Sequence, residues 1–249
     1  MKLAMASDLH LEFGGIELKN EQNADVLVLA GDICVARDNS MFYQMFFEQV
    51  SKEFPIVIYI MGNHEHYNGD FAHTKQLLVD NLSDYSNVHI LDKETIKLKG
   101  YTFVCGTMWT DMNSYDDLTM KMVGSLMNDF RCVRNSNRYT HRKVPVYQKT
   151  DDGKLVKNEN GQNIQIGMKM KEEVSKFSPE DAYEDHKKFL DYLDGFLQRK
   201  DEQLIVVTHH APSAQSTPEE FKHQNEMNGG YRSHLDYLIE DHPNIKLWI

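Results

Sequence analysis

The chain has 249 residues, 41% of them hydrophobic and 26% charged, a composition that predicts a soluble globular protein with a sizeable core. Its formal net charge of −11 argues against stable nucleic-acid binding and against a polybasic membrane protein. No apolar run reaches the roughly 18–20 residues of a membrane span, and three cysteines without a CxxC pair favour a reducing cytoplasm.

Short apolar runs alternate with amphipathic stretches along most of the sequence. The runs predict buried strands at 2–7, 25–30, 55–60, 87–91, 101–106, 203–208 and 245–249. The amphipathic stretches predict helices over 40–54, 70–84, 178–198 and 233–242, the third with Ser178 as N-cap and Pro179 in its first turn. This alternation predicts an α/β fold.

The segment from about 135 to 176 has a different character. It is polar and contains the turn signals "TDDGK" and "NENGQ", which predict an inserted hairpin or flap. It lacks apolar residues for a core of its own, so we expect a single domain over 1–249. Its basic cluster "RYTHRK" is either a solvated part of the hairpin or a region that steers an anionic substrate.

Four of the predicted strands end in side chains that bind metals. The strands run into "SDLH", "AGD", "MGNHE" and "THHAPS". The carboxyl ends of neighbouring strands in an α/β sheet converge on one crevice, so we expect these side chains to meet there. The candidate metal ligands are Asp8, His10, Asp32, Asn63 and His209.

The spacing of these residues suits metal binding. Residues i and i+2 of an extended segment point to the same side, so Asp8 and His10 can bind the same ion. Gly31 and Gly62 permit tight turns and a close approach of the backbone. Carboxylate, imidazole and amide ligands favour manganese, with iron or zinc as alternatives. We expect Asp32 to bridge two ions roughly 3.5–4 Å apart, which would activate water for a displacement.

Several assignments remain open from the residues alone. DxH and GD are common by chance, and GNHE is more specific. The interpretation depends on all four motifs occurring in this order, each after a buried strand. His210 is the alternative to His209 as ligand, and His66 is expected at the surface. Arg131 and Arg134 either contact a substrate phosphate or form a solvated pair at a helix end.

The motifs "DLH", "GD", "GNHE" and "THHAP", in this order, resemble the calcineurin-like metallophosphoesterases. "GTMWTDM", "MNDFR" and "SPEDAYEDHKKFLDYL" look like a bacterial and phage branch of that superfamily. The resemblance implies a four-layer α-β-β-α sandwich and a dinuclear centre that hydrolyses phosphate esters. Its substrate would be a phosphorylated small molecule, a nucleotide or a phosphoprotein.

The same resemblance implies a role for each site residue. One metal would be held by Asp8, His10 and Asp32, and the other by Asp32, Asn63 and His209. His64 would act as the catalytic residue, either donating a proton to the leaving oxygen or stabilising charge in the transition state.

One departure from the family pattern concerns the end of the sequence. The family closes its site with a GHxH motif after the last core strand, whereas this sequence ends at "IKLWI". The resemblance therefore implies that one histidine ligand to each metal is missing. Either the sequence is truncated, or it is a shortened product with an impaired site that serves as a binding module.

Overall fold

The computed structural model describes residues 1–38 and 40–249. Its strands are β1 (Leu3–Ala6), β2 (Val26–Ala30), β3 (Val57–Ile60), β4 (Val88–Ile90), β5 (Glu94–Leu98), β6 (Tyr101–Cys105), β7 (Arg134–Tyr147), β8 (Gln165–Lys176), β9 (Gln203–Val207) and β10 (Ile245–Trp248). Its helices are α1 (Met41–Glu53), α2 (Thr74–Asn81), α3 (Met112–Tyr115), α4 (Asp117–Leu126), α5 (Asp129–Cys132), α6 (Pro179–Leu197), α7 (Asn225–Asn228) and α8 (Asp236–Asp241).

Two four-stranded sheets form the centre of the fold. The first has the order β1-β2-β3-β4, and all its strands are parallel. The second has the order β10-β9-β6-β5, with β5 antiparallel to β6 and the other pairs parallel. Parallel strands bring their carboxyl ends to one edge, which is where the predicted ligands follow the strands.

The hydrophobic side chains divide into layers that match this arrangement. Alternate residues of β2, such as Val28, face Ile205 of the second sheet in the inner core. The opposite residues, such as Leu29, pack against Phe47 of α1. On the other side, Val206 packs with Phe189 of α6. The two sheets are therefore covered by helices on their outer faces, which confirms the predicted α/β sandwich.

The predicted strands and helices are all present, with ends that differ by at most four residues. The N-terminus of α6 is also as predicted, because Ser178 and Asp181 form a reciprocal capping box with Pro179 in the first turn. The strand β5 and the helices α3, α4, α5 and α7 were not predicted. The sequence of β5, "ETIKL", is half polar because this strand lies at the edge of its sheet.

Residues 134–176 extend from the body as the antiparallel hairpin β7–β8, which we call the arm. Its root is fixed: the amide of Phe71 donates to the Arg134 carbonyl (2.8 Å), and Arg138 pairs with Asp181. Beyond the root, most residues of both strands are exposed.

Within the described part of the chain, no helix combines the length and the apolar character needed to cross a membrane.

Candidate metal centre

The loops that follow β1, β2, β3 and β9 meet at one edge of the molecule. They line a cleft of about 520 Å³. All the side chains predicted to bind metal lie in its wall, together with the predicted catalytic histidine: Asp8, His10, Asp32, Asn63, His64 and His209. The four strand-end motifs are therefore brought together in space.

The backbone of this edge is unusual. Asp8, His10 and Asp32 have φ values of 55°, 48° and 53°, in the left-handed region that non-glycine residues seldom occupy. The pairing of β1 with β2 continues past the strand ends, because the amides of Asp8 and His10 donate to the carbonyls of Gly31 and Asp32 (both 3.1 Å). Such strain concentrates at functional sites and persists where neighbouring contacts hold it.

The predicted need for glycine at two positions is confirmed. Gly31 has φ +89°, and a Cβ there would lie 2.6 Å from Nδ1 of His209. A Cβ on Gly62 would collide with the Asp32 carboxylate and lie 2.9 Å from Cε1 of His209. Any larger residue would push the candidate ligands apart.

One group of candidate ligand atoms comes from Asp8, Asp32 and His209, whose atoms lie within 4.8 Å of one another. Nδ1 of His209 lies 2.9 Å from the Ala30 carbonyl, to which it can donate a proton. Nε2 then presents a lone pair 3.5 Å from Oδ1 of Asp32 and 3.1 Å from Oδ1 of Asn63. Nε2 of His209 and the two Oδ1 atoms of Asp32 and Asn63 thus direct lone pairs at one another, with no proton between them. A cation placed among the three atoms would remove this repulsion. The residues therefore fit a metal.

A second group consists of His10, Asp32 and His64, again within 4.8 Å. Asp32 belongs to both groups, so its carboxylate could contact a cation held by either. The grouping differs from the predicted one in a detail: His64 lies with His10 and Asp32, and Asp8 lies with His209. His64 is thus placed where it can either bind a metal or act on a substrate.

Glu12 orients both histidines of the second group, a contact that sequence reasoning missed. Its Oε1 lies 3.3 Å from Nδ1 of His10 and 3.0 Å from Nδ1 of His64. A carboxylate at Nδ1 favours the tautomer with its proton on Nδ1, which leaves the lone pair on Nε2 available for a cation. The signal in the sequence was the i+2 spacing of Glu12 from His10.

His64 is held from three further sides. Its backbone amide donates to Oδ1 of Asp32 (2.8 Å), its ring stacks on Tyr67 at 4.1 Å, and the His10 ring meets it edge-on at 4.4 Å. These contacts fix the position of the imidazole in the cleft wall.

Glu65, the last residue of "GNHE", ties the loops after β2 and β3 together. Its carboxylate accepts hydrogen bonds from the amides of Asp32 (3.0 Å), Ile33 (2.8 Å) and Gly62 (2.7 Å) and from the Tyr59 hydroxyl (2.8 Å). Burial and the nearby Asp32 charge raise the pKa of Glu65. The buried carboxylate thus locks the ligand-bearing loops, a role that no sequence pattern revealed.

Asp129, from "MNDFR", is a further cleft residue that was missed. It is buried, and its Oδ2 accepts a hydrogen bond from the Tyr67 hydroxyl (3.3 Å). Its Oδ1 has no hydrogen-bond partner among the described residues. Burial raises the pKa of Asp129, and the negative charge of Asp32 adds to this effect.

The prediction that His66 lies at the surface is wrong. His66 is 1% exposed, and its ring contacts Phe71 and stacks on Trp109. Burial lowers its pKa to about 4, so the ring is neutral. The 3₁₀ turn His64–His66 points alternate histidines to opposite sides, one to the cleft and one to the core.

His209, rather than His210, lies with the other candidate ligands. His210 is buried, stacks on Trp109 at 5.1 Å, and has a pKa lowered by burial.

The two arginines considered as phosphate contacts lie elsewhere. Arg131 donates to the Ser125 carbonyl, and Arg134 lies at the root of the arm. Neither arginine is among the described residues that line the cleft.

Comparisons with known proteins agree with this geometry. An uncharacterized protein, L509 of Acanthamoeba polyphaga mimivirus, is 25% identical over 227 residues, covering 84% of this chain and 68% of the viral protein. The calcineurin-like phosphoesterase family matches residues 1–249, the full length given. The chain therefore belongs to the calcineurin-like phosphoesterase family.

Proposed function

We propose that this protein hydrolyses phosphate esters with two divalent cations held at the strand ends, manganese being the first choice and iron or zinc the alternatives. The observation that carries the proposal is the position of Asp32, which belongs to both groups of ligand atoms. Asp8, Asn63 and His209 complete one cation site, and His10 completes the other.

When bound, the cations supply an activated water and offset the negative charge of the phosphate during an in-line displacement. The chain itself orients the ligands: Glu65 holds the loops, the Ala30 carbonyl fixes the tautomer of His209, and Glu12 fixes that of His10. This preorganisation means that little rearrangement is needed when cation and substrate bind.

His64 is the proposed proton donor to the leaving oxygen. Its Nδ1 faces the Glu12 carboxylate, so that Nε2 is the nitrogen left to pass a proton to the leaving oxygen. In this mechanism water would displace the leaving oxygen from phosphorus directly, and no side chain of the protein would become phosphorylated. The substrates proposed on this basis are phosphorylated small molecules, nucleotides and phosphoproteins.

The test is hydrolysis of p-nitrophenyl phosphate and bis-p-nitrophenyl phosphate by the protein supplied with Mn²⁺. We expect Asp32→Asn and Asn63→Ala to reduce kcat/KM by roughly 10³-fold or more, because each weakens the site that activates water. The exposed His223 serves as the control, and His223→Ala should retain full activity.

Elemental analysis of the same preparations gives an independent readout. We expect about two metals per chain, as the two ligand groups require, and fewer in Asp32→Asn. Full activity in Asp32→Asn would contradict the proposal. Binding of two metals without turnover of any ester would instead favour the binding module.

A further inference from the structure

The charge of the protein is strongly segregated between the arm and the body. Residues 134–176 contain ten Lys and Arg against five Asp and Glu, a net charge of +5. The whole chain carries −11, so the remaining residues carry −16. The overall acidity that argued against nucleic acid thus belongs to the body and does not describe the arm.

Several of the arm's cations are free to bind an external anion. Within the described residues, Lys143, Lys149, Lys157 and Lys169 have no carboxylate at ion-pair distance, whereas Arg142 is paired with Glu173. Exposed, unpaired ammonium groups on an extended ribbon attract a chain of phosphates through their summed field.

Aromatic side chains stand beside these cations. Tyr139 and Tyr147 are 55% and 37% exposed, and their even spacing along β7 places them on one face of the ribbon. They are about 26 Å apart at 3.3 Å per residue. Lys143 lies midway between them on the same face, opposite the exposed Met170. Exposed rings that alternate with cations suit the stacking of unpaired bases.

The arm begins at the wall of the cleft. Asn128 and Asp129 line the cleft, and α5 leads from Asp129 directly to β7. The amide of Asn68 donates to the Cys132 carbonyl (3.2 Å), and Tyr67, next to Asn68, lines the cleft. The root of the arm therefore adjoins the cleft that contains the candidate ligands.

We propose that the arm binds single-stranded nucleic acid and presents its phosphodiester backbone to the cleft. This inference rests on the proposed phosphoesterase function and names the substrate class for it. The unpaired lysines would contact phosphates, and Tyr139 and Tyr147 would stack on bases.

The test is fluorescence anisotropy of a labelled 30-nucleotide single strand with the full chain carrying Asp32→Asn, which prevents cleavage. Lys143→Glu with Lys169→Glu should weaken binding at least tenfold at 50 mM salt and reduce the slope of log K against log salt by about 1.4, since each phosphate contact contributes roughly 0.7. Tyr139→Ala should weaken binding roughly 5-fold or more, through lost stacking.

The matched control is Lys19→Glu with Lys121→Glu, which changes the net charge equally at two exposed body positions. It should weaken binding less than twofold, and both double variants should melt at the same temperature as their parent. Equal losses in the two pairs, or no binding by the parent, would overturn the inference.

Two further outcomes are distinguished by parallel measurements. Sedimentation tests whether the arm instead binds the acidic body of a second copy. If the protein is a dimer that dissociates when the arm lysines are reversed, and if it does not bind the oligonucleotide, the inference is overturned. Hydrolysis of bis-p-nitrophenyl phosphate by the chain with native Asp32 should be unchanged by the arm reversals. If that hydrolysis is absent while the strand still binds the arm, the proposed function fails and arm binding stands.

Discussion

The cleft and the arm place charge on the same chain in opposite ways. In the cleft, the carboxylates of Asp32 and Glu65 are buried at 4% and 1% exposure. The Asp32 carboxylate accepts from the His64 amide, and the Glu65 carboxylate accepts from four donors. On the arm, cations lie on a two-stranded ribbon with almost no packing beneath it. Groups that take part in chemistry must be fixed from many sides, whereas attraction of a charged polymer requires only exposed charge.

The sharpest test of the fixed region is Glu65. We expect Glu65→Ala to lower the free energy of unfolding by about 3 kcal/mol, because it leaves buried amide donors without an acceptor. Glu65→Gln should lose nearly as much, since its NH₂ group would face two of those donors. Urea denaturation measures both, with Glu159→Ala at the exposed arm tip as the control. If Glu65→Ala is as stable as Glu159→Ala, the Glu65 carboxylate does not hold the loops together.

His66 tests how far the packed region extends behind the cleft. We expect His66→Ala to destabilise the fold by about 2 kcal/mol, because removing a buried ring leaves a cavity against Phe71 and Trp109. His66→Phe should retain most of the stability. His223 is exposed, so His223→Ala should leave the free energy of unfolding unchanged. An equally small effect of His66→Ala would contradict the burial of His66.

Asp129 tests the electrostatic state of the cleft wall. Because its pKa is raised in the folded state, stability is lost as the pH rises through that pKa. Asp129→Asn, which stays neutral, should therefore be more stable than the native chain at pH 7 by about 1 kcal/mol and nearly equal to it at pH 4. Denaturation in EDTA at the two pH values measures this difference.

The exposed Asp151 supplies the reference for that experiment. Asp151→Asn should show no difference that depends on pH. An advantage of Asp129→Asn that is the same at both pH values would indicate a packing effect and would exclude the loss of a buried charge.

The smallest effect is expected on the arm. Met168 and Met170 are 53% and 57% exposed, so replacing both with Thr should change the free energy of unfolding by no more than about 0.5 kcal/mol. Thermal melting of the double variant measures this. A loss above 1 kcal/mol would show that the arm packs against the body and would weaken the contrast with the cleft.

The apolar runs predicted an α/β fold, because central strands buried on both faces must be continuously apolar, and the family resemblance supplied the sandwich arrangement. The apolar pattern failed for β5, where an edge position leaves Glu94 and Lys97 exposed and the run is interrupted. The burial of His66 could not be predicted, since its partners Phe71 and Trp109 come from different segments.

The candidate ligands were predicted because they follow strands whose ends must meet. Most of the contacts of the residues that orient them join distant parts of the chain, and the short Glu12–His10 spacing was overlooked. Glu12 reaches His64 across 52 positions, and Asp129 reaches Tyr67 across 62. A pattern read along the chain contains no signal for pairs of this kind.

The left-handed backbone at Asp8, His10 and Asp32 restricts which side chains these positions can evolve. Apart from glycine, Asp, Asn and His are the residues that tolerate this conformation best, and all three also bind metals. A change to Glu or Cys would have to remodel the loop before it could alter the metal preference. Asn63, with φ −78°, carries no such restriction, so efforts to retune the metal have more freedom there.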